Sequence, residues 1–411
     1  MGAYQRSGSD FLMVKIMASQ KKPPIYMDYN ATTPVLPEVL DSMLPFLRKQ
    51  FGNPSSDHAY GRPARAAVER ARGQVAELLG CAEDEVVFTS GGTEANNLAI
   101  CGVMELSQAR RHIVTSAVEH PATVRPCAWL ESKGASVTRV AVDQHGCINE
   151  NDVRTALRRD TALVTIMLAQ NETGVLMPVG RLARLAHGCG AFMHTDAAQA
   201  VGKIPVNVKK LAVDLLSIAG HKLYAPKGIG ALYVRRGTAL APVLRGAGQE
   251  HGLRPGTENV PYIVGLGVAC ELAGAKLSVE SGRQQELRDQ LWGLLCENIA
   301  GLKLVGANAA RLPNTLNLCF PGVRGSAVLA GAPEVAASTG SACHAGDEKA
   351  SAVLLAMGIP PAIALGAVRL SLGRSTTRSD IVAVAAILQR AYERIKPRPS
   401  RPRGSGLVVI L

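Results

Sequence analysis

Asp196 and Lys222 pose the chemical question in this sequence. Asp196 closes an apolar, β-rich run at 192–195, and Lys222 follows a second such run at 215–219 through Gly220-His221. Twenty-six residues separate them, room for one helix and a returning strand, so the spacing predicts a carboxylate and an amine on neighbouring strand ends. An amine at the end of a buried strand is costly to keep charged, and forming a Schiff base removes that charge. A carboxylate beside it suits the pyridinium nitrogen of an aromatic cofactor, because the pairing keeps the ring protonated and electron-withdrawing. An aspartate that merely caps the next helix is the ordinary alternative.

Further candidates sit after other apolar runs, where the ligand crevice of an open α/β sheet lies. Ser90-Gly91-Gly92-Thr93-Glu94 reads as a glycine turn opening a helix, a cradle for a phosphate or simply a tight turn. His120 can stack on a ring and relay protons, or stand as a surface loop residue. His221 can donate to a phosphate or be a structural histidine, and Gln199 can reach a phenolic oxygen of the cofactor. In the small-residue segment Ser338-Thr339-Gly340-Ser341-Ala342-Cys343-His344-Ala345-Gly346-Asp347 a single thiol sits in an expected exposed loop, available to react, although an incidental loop cysteine gives the same pattern. Arg369, in Val368-Arg369-Leu370, suits a bidentate grip on a carboxylate or a buried structural ion pair.

The elements that must position these groups follow from periodicity. Strands are expected at 85–89, 112–116, 136–142, 162–168, 192–195, 215–219 and 230–234, alternating with helical stretches such as 64–79, the pattern of a mostly parallel sheet covered on both faces. After Gly274 the composition changes to an amphipathic helix at 281–299, short strands near 314–320 and a final helix at 379–395, which predicts a second, smaller domain.

With 411 residues and 47% hydrophobic composition the chain can bury a large core, and its apolar runs stop short of a membrane span. Nine scattered cysteines without a Cys-x-x-Cys pair argue for reduced thiols rather than disulfides or a metal site. The net charge of +12 suits phosphorylated and carboxylate ligands better than nucleic acid, since the one dense basic run, in the tail after Arg394, lacks aromatics. Residues 1–17 lack secretory features, so cytoplasm is the expected location, with Met17 a second plausible start and weak organelle targeting an alternative for the stretch before it.

Taken together, these residues resemble the cysteine desulfurase and selenocysteine lyase family, a branch of the fold type I enzymes that use pyridoxal 5′-phosphate (PLP). The likeness runs from about residue 25 to 395. It rests on Tyr26-Met27-Asp28-Tyr29-Asn30-Ala31-Thr32-Thr33-Pro34, Gly52-Asn53-Pro54-Ser55-Ser56, Gly91-Gly92-Thr93-Glu94-Ala95-Asn96-Asn97, Val118-Glu119-His120, Asn171-Glu172-Thr173-Gly174 and Arg254-Pro255-Gly256-Thr257-Glu258-Asn259.

The resemblance implies Lys222 as the Schiff-base lysine, Asp196 at the pyridine nitrogen, His120 over the ring and Gln199 at the phenolic oxygen. It puts Asn171 near cofactor and substrate, and Gly92, Thr93 and His221 at the phosphate, with Thr257 reaching across from the other subunit of a homodimer. Arg369 would bind the substrate carboxylate and Cys343 would be the nucleophile.

The implied architecture is α/β, a large PLP domain with a mostly parallel seven-stranded sheet plus a smaller α/β C-terminal domain. The expected boundaries are an extension at 1–24, the large domain at 25–275, its first residues able to join the small domain, the small domain at 276–396 and a disordered basic tail at 397–411.

Three positions depart from the family pattern: Ala219 replaces a serine that would bond the phosphate, Gln170 stands where a pair of asparagines is common, and Lys349-Ala350 replaces a proline. The implied reaction takes sulfur from L-cysteine onto Cys343, for a persulfide acceptor and iron–sulfur cluster assembly. Selenocysteine lyase is the alternative, favoured by His344 and the segment 25–34, whereas 226–236 reads like general desulfurases. An aminotransferase of the same fold is a more distant reading, and a scaffold without cofactor more distant still.

Overall fold

The computed structural model describes residues 23–107, 109–340 and 349–397. The expectations for the N-terminal extension, the basic tail and Cys343 itself fall outside these residues, apart from Pro23, Pro24 and Pro397 at the edges.

Twelve strands are found among the described residues: β1 Ile25–Tyr26, β2 Val86–Thr89, β3 His112–Ser116, β4 Ser136–Val140, β5 Thr161–Thr165, β6 Phe192–Asp196, β7 Leu215–Ala219, β8 Gly230–Val234, β9 Lys303–Leu304, β10 Thr315–Cys319, β11 Val335–Ala336 and β12 Ala367–Ser371. Seven of them form one sheet in the order β2-β8-β7-β6-β5-β3-β4. Only β8 runs against its neighbours, so the carboxyl ends of β2, β3, β5, β6 and β7 share one edge. All seven expected strands are present. Two are shorter than their apolar runs: β4 stops at Val140, and beyond Thr165 the residues 166–168 leave the regular ladder while Ile166 and Leu168 still donate to β6 carbonyls.

The helices that cover this sheet include α1 Pro37–Arg48, α2 Gly61–Leu79, α3 Gly92–Leu106 and α4 Pro121–Ser132. Helix α2 buries Ala64, Ala67, Val68, Ala71 and Val75 at three- and four-residue spacing, then ends at Gly80, whose φ of 70° is the left-handed conformation that closes a helix without a Cβ penalty.

A long helix runs through the expected boundary near 275 and corrects the extent expected for the helix at 281–299. Val260–Asn298 is one helix of 39 residues, so 281–299 is only its second half. Gly274 does not stop it, because a lone interior glycine costs about 1 kcal/mol and the helix is buried on both sides of that point. Ile263, Leu266, Ala269 and Ala273 join the core under the large sheet, whereas Leu287, Leu291 and Leu295 join a second core with β10, β12 and the C-terminal helix Arg378–Ile395. The helix is also long and apolar enough to meet a membrane span's length and composition, contrary to the expectation from shorter runs. Its first half is packed against α1 and α2.

The second core is built on the antiparallel sheet β12-β10-β9. Met27 is buried in it, and β1 pairs in parallel with β11, so the chain's early segment crosses from the large sheet to this layer. The eight cysteines of the described residues are unpaired thiols.

Candidate active site

Lys222 ends a single 3-10 turn, Gly220–Lys222, that continues from β7. The turn is held from outside by Thr33: its N–H and hydroxyl both donate to the His221 carbonyl, and its Oγ1 accepts from the Tyr224 N–H. Tyr224 adopts φ 70°, strained for a residue with a side chain, and is fixed there by these bonds and by its hydroxyl accepting from the Arg374 N–H. The Lys222 amine donates to two backbone carbonyls, Asn30 O at 2.6 Å and Ala31 O at 2.7 Å. Burial lowers its pKa to about 8, helped by the charge of Arg369 and opposed by Asp28 and Asp196.

Asp196 is the last residue of β6, the strand beside β7, and is buried. Its Oδ2 accepts from Asn96 Nδ2 at 2.7 Å and its Oδ1 from the Ala198 N–H at 2.9 Å. Asp196 does not cap a helix: the chain turns at 198–203 and the next helix, Val208–Leu211, is capped by Asn207, so the Ala198 contact only braces that turn and leaves acceptor capacity on the carboxylate.

Between these strands and the second core runs the strip 28–33. Asn30 is its hub. Its backbone carbonyl accepts from Lys222 and from Gln199 Nε2 at 2.9 Å, and its side-chain Nδ2 donates to Thr315 Oγ1 at 2.9 Å and to the Asn171 carbonyl at 3.3 Å. Its N–H donates to Ser371 Oγ. Arg369, in the middle of β12, donates from Nη1 to the same Asn171 carbonyl at 3.0 Å and from Nη2 to Asp28 Oδ1 at 2.7 Å. Both readings of Arg369 thus have support: it is in a buried ion pair, yet its Nε–H is buried with no partner among the described residues.

The other candidates fall as follows. Gly91, with φ 150°, precedes α3, and Gly92 is the first residue of that helix. A Cβ on Gly92 would lie 3.2 Å from the Ala219 methyl, so the position expected to carry a serine presents only carbon here. His120 caps α4, with Nδ1 accepting from the Ala122 N–H at 3.1 Å, which leaves Nε2 as the protonated nitrogen of the neutral ring. Partial desolvation lowers its pKa, Asp196 opposing and Lys222 reinforcing, so these three groups share one field. A cavity of about 450 Å³ is lined by both Thr93 and His120, with Asn97, Arg125 and Trp129. His221 contacts Thr32 Oγ1 through Nδ1 at 3.1 Å, and burial, Lys222 and Lys227 lower it to about 4.

Thr257 is exposed, and its side chain makes no hydrogen bond to the described residues, so it is not gathered with the others in this chain. Ser338, before the stretch that carries Cys343, pairs with the backbone of Arg369, and Ser351, after it, donates to Glu172 Oε2 at 2.6 Å.

These residues fit PLP. Among the described residues the Lys222 amine has only carbonyl partners, the Asp196 carboxylate is fixed at the neighbouring strand end, and a 15-residue helix opens on a Gly-Gly pair at the same sheet edge. A family model described as aminotransferase class-V matches residues 25–384. The chain belongs to that family.

Within the class-V aminotransferases, it is 45% identical to the cysteine desulfurase IscS of Dictyoglomus turgidum over 91% of this chain and 96% of that one. It is 49% identical to the cysteine desulfurase of Gluconacetobacter diazotrophicus, covering 89% and 92%. Among solved structures, a NifS-like protein superposes with TM-score 0.85 at 36% identity, covering 90% of this chain and 100% of that one. SspA in complex with cysteine superposes with TM-score 0.76 at 38% identity, covering 84% and 98%.

Sequence reasoning missed Asn30, Asn96, Asp28 and Lys203. The first three stand inside motifs that carried the family resemblance but had no assigned role. Lys203 had a weaker signal, its four-residue spacing from Gln199.

Proposed function

We infer that this chain is a PLP-dependent cysteine desulfurase that takes L-cysteine to L-alanine and leaves the sulfur on Cys343 as a persulfide. The observation that supports this most directly is the amine of Lys222 beside the fixed carboxylate of Asp196, in one network with the guanidinium of Arg369. The relatives' names agree with it.

When bound, PLP supplies an electron sink that labilises the α-proton and the carbon–sulfur bond of the substrate. Lys222 would hold the cofactor, Asp196 its pyridine nitrogen and Gln199 its phenolic oxygen, with His120 over the ring and Asn171 beside it. Gly92, Thr93 and His221 would hold the phosphate, and Thr257 of a second subunit would complete that site in a homodimer. With its pKa near 8, Lys222 Nζ has a substantial neutral fraction at physiological pH and can take the α-proton. Arg369 has an Nε–H unpaired among the described residues, which together with Nη2 suits a carboxylate. The proton on His120 Nε2 makes it a candidate carrier.

Cys343 forms a sulfur–sulfur bond as the substrate's carbon–sulfur bond breaks, so cysteine plus thiol becomes alanine plus persulfide without external oxidant or reductant. An acceptor protein, as in iron–sulfur cluster assembly, would remove that sulfur, and cytoplasm remains the proposed location.

The test is parallel measurement of alanine from L-cysteine and L-selenocysteine with the purified protein and with Cys343→Ala. Sulfide release from cysteine should vanish in the variant while the PLP absorbance stays. Sulfide release at the parent rate would remove Cys343 from the reaction, and turnover of selenocysteine alone would make the protein a selenocysteine lyase.

A further inference from the structure

Lys203 is a second buried amine in the same network, and nothing in the reaction above uses it. It stands four residues after Gln199. Its Nζ donates to Gln199 Oε1 at 2.6 Å and to Asn30 Oδ1 at 2.9 Å. No carboxylate pairs with it among the described residues, and the charges that act on it, Lys222 and Arg369, have its own sign. Burial and those two cations push its pKa well below the ordinary lysine value. A buried lysine without an acid partner is costly to keep, so its retained contacts are informative.

What the contacts do is fix two amides. An amide side chain can turn over and exchange its oxygen for its nitrogen, and only its neighbours decide which way it points. Charged or neutral, the amine carries at least two N–H groups, and they are directed at Gln199 Oε1 and Asn30 Oδ1, so Gln199 turns its oxygen toward it. Gln199 Nε2 then faces the other way, spending one hydrogen on the Asn30 carbonyl and keeping the second free of partners among the described residues. Asn30 is oriented by the same logic, its Oδ1 accepting from Lys203 and from Asn314 Nδ2 at 3.1 Å while its Nδ2 faces Thr315 and Asn171.

We propose that Lys203 is a positioning residue that locks the Gln199 amide so that its free N–H, rather than its oxygen, is offered to the ring oxygen of the cofactor. This rests on the PLP reading of the site. Without Lys203 the amide can turn over and present an acceptor to an acceptor. Lys203 touches no reacting atom. Its effect on the ring oxygen passes through Gln199; the charged groups around the two are Lys222, Asp196, Asp28 and Arg369, of which Lys222 and Arg369 act on Lys203 directly, and the Gln199→Ala background in the test separates that direct effect from the one through the amide.

The test is the pH titration of the visible absorbance of bound PLP in the holoenzyme, for the parent, Lys203→Met, Lys203→Gln, Gln199→Ala and the Lys203→Met/Gln199→Ala double variant. Lys203→Met should move the midpoint by about half a pH unit or more, the size of one ordinary hydrogen bond, in the direction taken by Gln199→Ala. The double variant should match Gln199→Ala alone, because two residues acting through one contact are not additive. Lys203→Gln, which keeps a donor, should titrate within about 0.2 unit of the parent.

A parent midpoint in Lys203→Met, a shift that adds to that of Gln199→Ala, or a displaced midpoint in Lys203→Gln would each overturn the proposal. Should Lys203→Met fail to fold, Lys203→Leu takes its place and is read against Gln199→Ala and the corresponding double variant in the same way. A parent protein with no PLP absorbance would instead refute the cofactor reading beneath it.

Discussion

At the scale of single residues, the site works by withholding partners. Lys222 lies within the reach of Asp28 and Asp196 electrostatically but, among the described residues, donates only to carbonyls, and burial with the charge of Arg369 outweighs the two acids and lowers its amine to about 8. Capture of PLP by the apo chain should accordingly speed up as pH rises through about 8 and should be absent in Lys222→Ala, both followed by growth of visible absorbance. Arg369 is treated in the opposite way. It is gripped by Asn171 and Asp28 and left with one buried Nε–H unpaired among the described residues. Arg369→Lys keeps the charge and loses the fork, so KM for cysteine should rise about tenfold or more, with kcat changed less, in steady-state assays.

At the scale of elements, the sheet edge depends on close backbone approach. Gly230 opens β8 opposite Ala219, and a Cβ there would come within 2.5 Å of the Ile218 carbonyl and 2.7 Å of Gly91 Cα. Those are backbone atoms, unable to swing aside, and Gly91 is the residue that aims α3. Gly230→Ala should therefore cost about 1–3 kcal/mol in urea unfolding and weaken PLP binding as well, measured by fluorescence or absorbance titration. A stability loss with unchanged PLP affinity would show that α3 does not depend on this contact.

At the scale of the whole molecule, three histidines are held neutral by burial in or beside the large sheet. His194 bridges Thr165 and Ser217 and is lowered to about 3, His112 bridges Thr161 and Thr138 and is lowered to about 4, and His221 is lowered to about 4. Their ordinary value is 6.5, so below it the unfolded chain binds protons that the folded chain refuses. The stability they contribute is complete above pH 6.5 and is lost progressively as pH falls toward 4 and 3. Thermal unfolding across that window should show the decline, and His194→Asn should lower by about one the protons taken up on unfolding.

Local sequence by itself determined the seven strands of the large sheet and the chemical candidates at their ends, because a buried parallel strand must be a continuous apolar run and its ligand crevice must follow it. It also yielded the resemblance, through short motifs whose order survives even where their roles are not obvious. Periodicity could not reveal the unbroken helix through Gly274, since the cost of one glycine is weighed against burial in two cores that no local window contains. Nor could it reveal Asn30 or Lys203. A hydrogen-bond hub is defined by partners such as Thr315, Asn314 and Ser371, nearly three hundred residues or more along the chain, and only tertiary packing brings those donors and acceptors within reach.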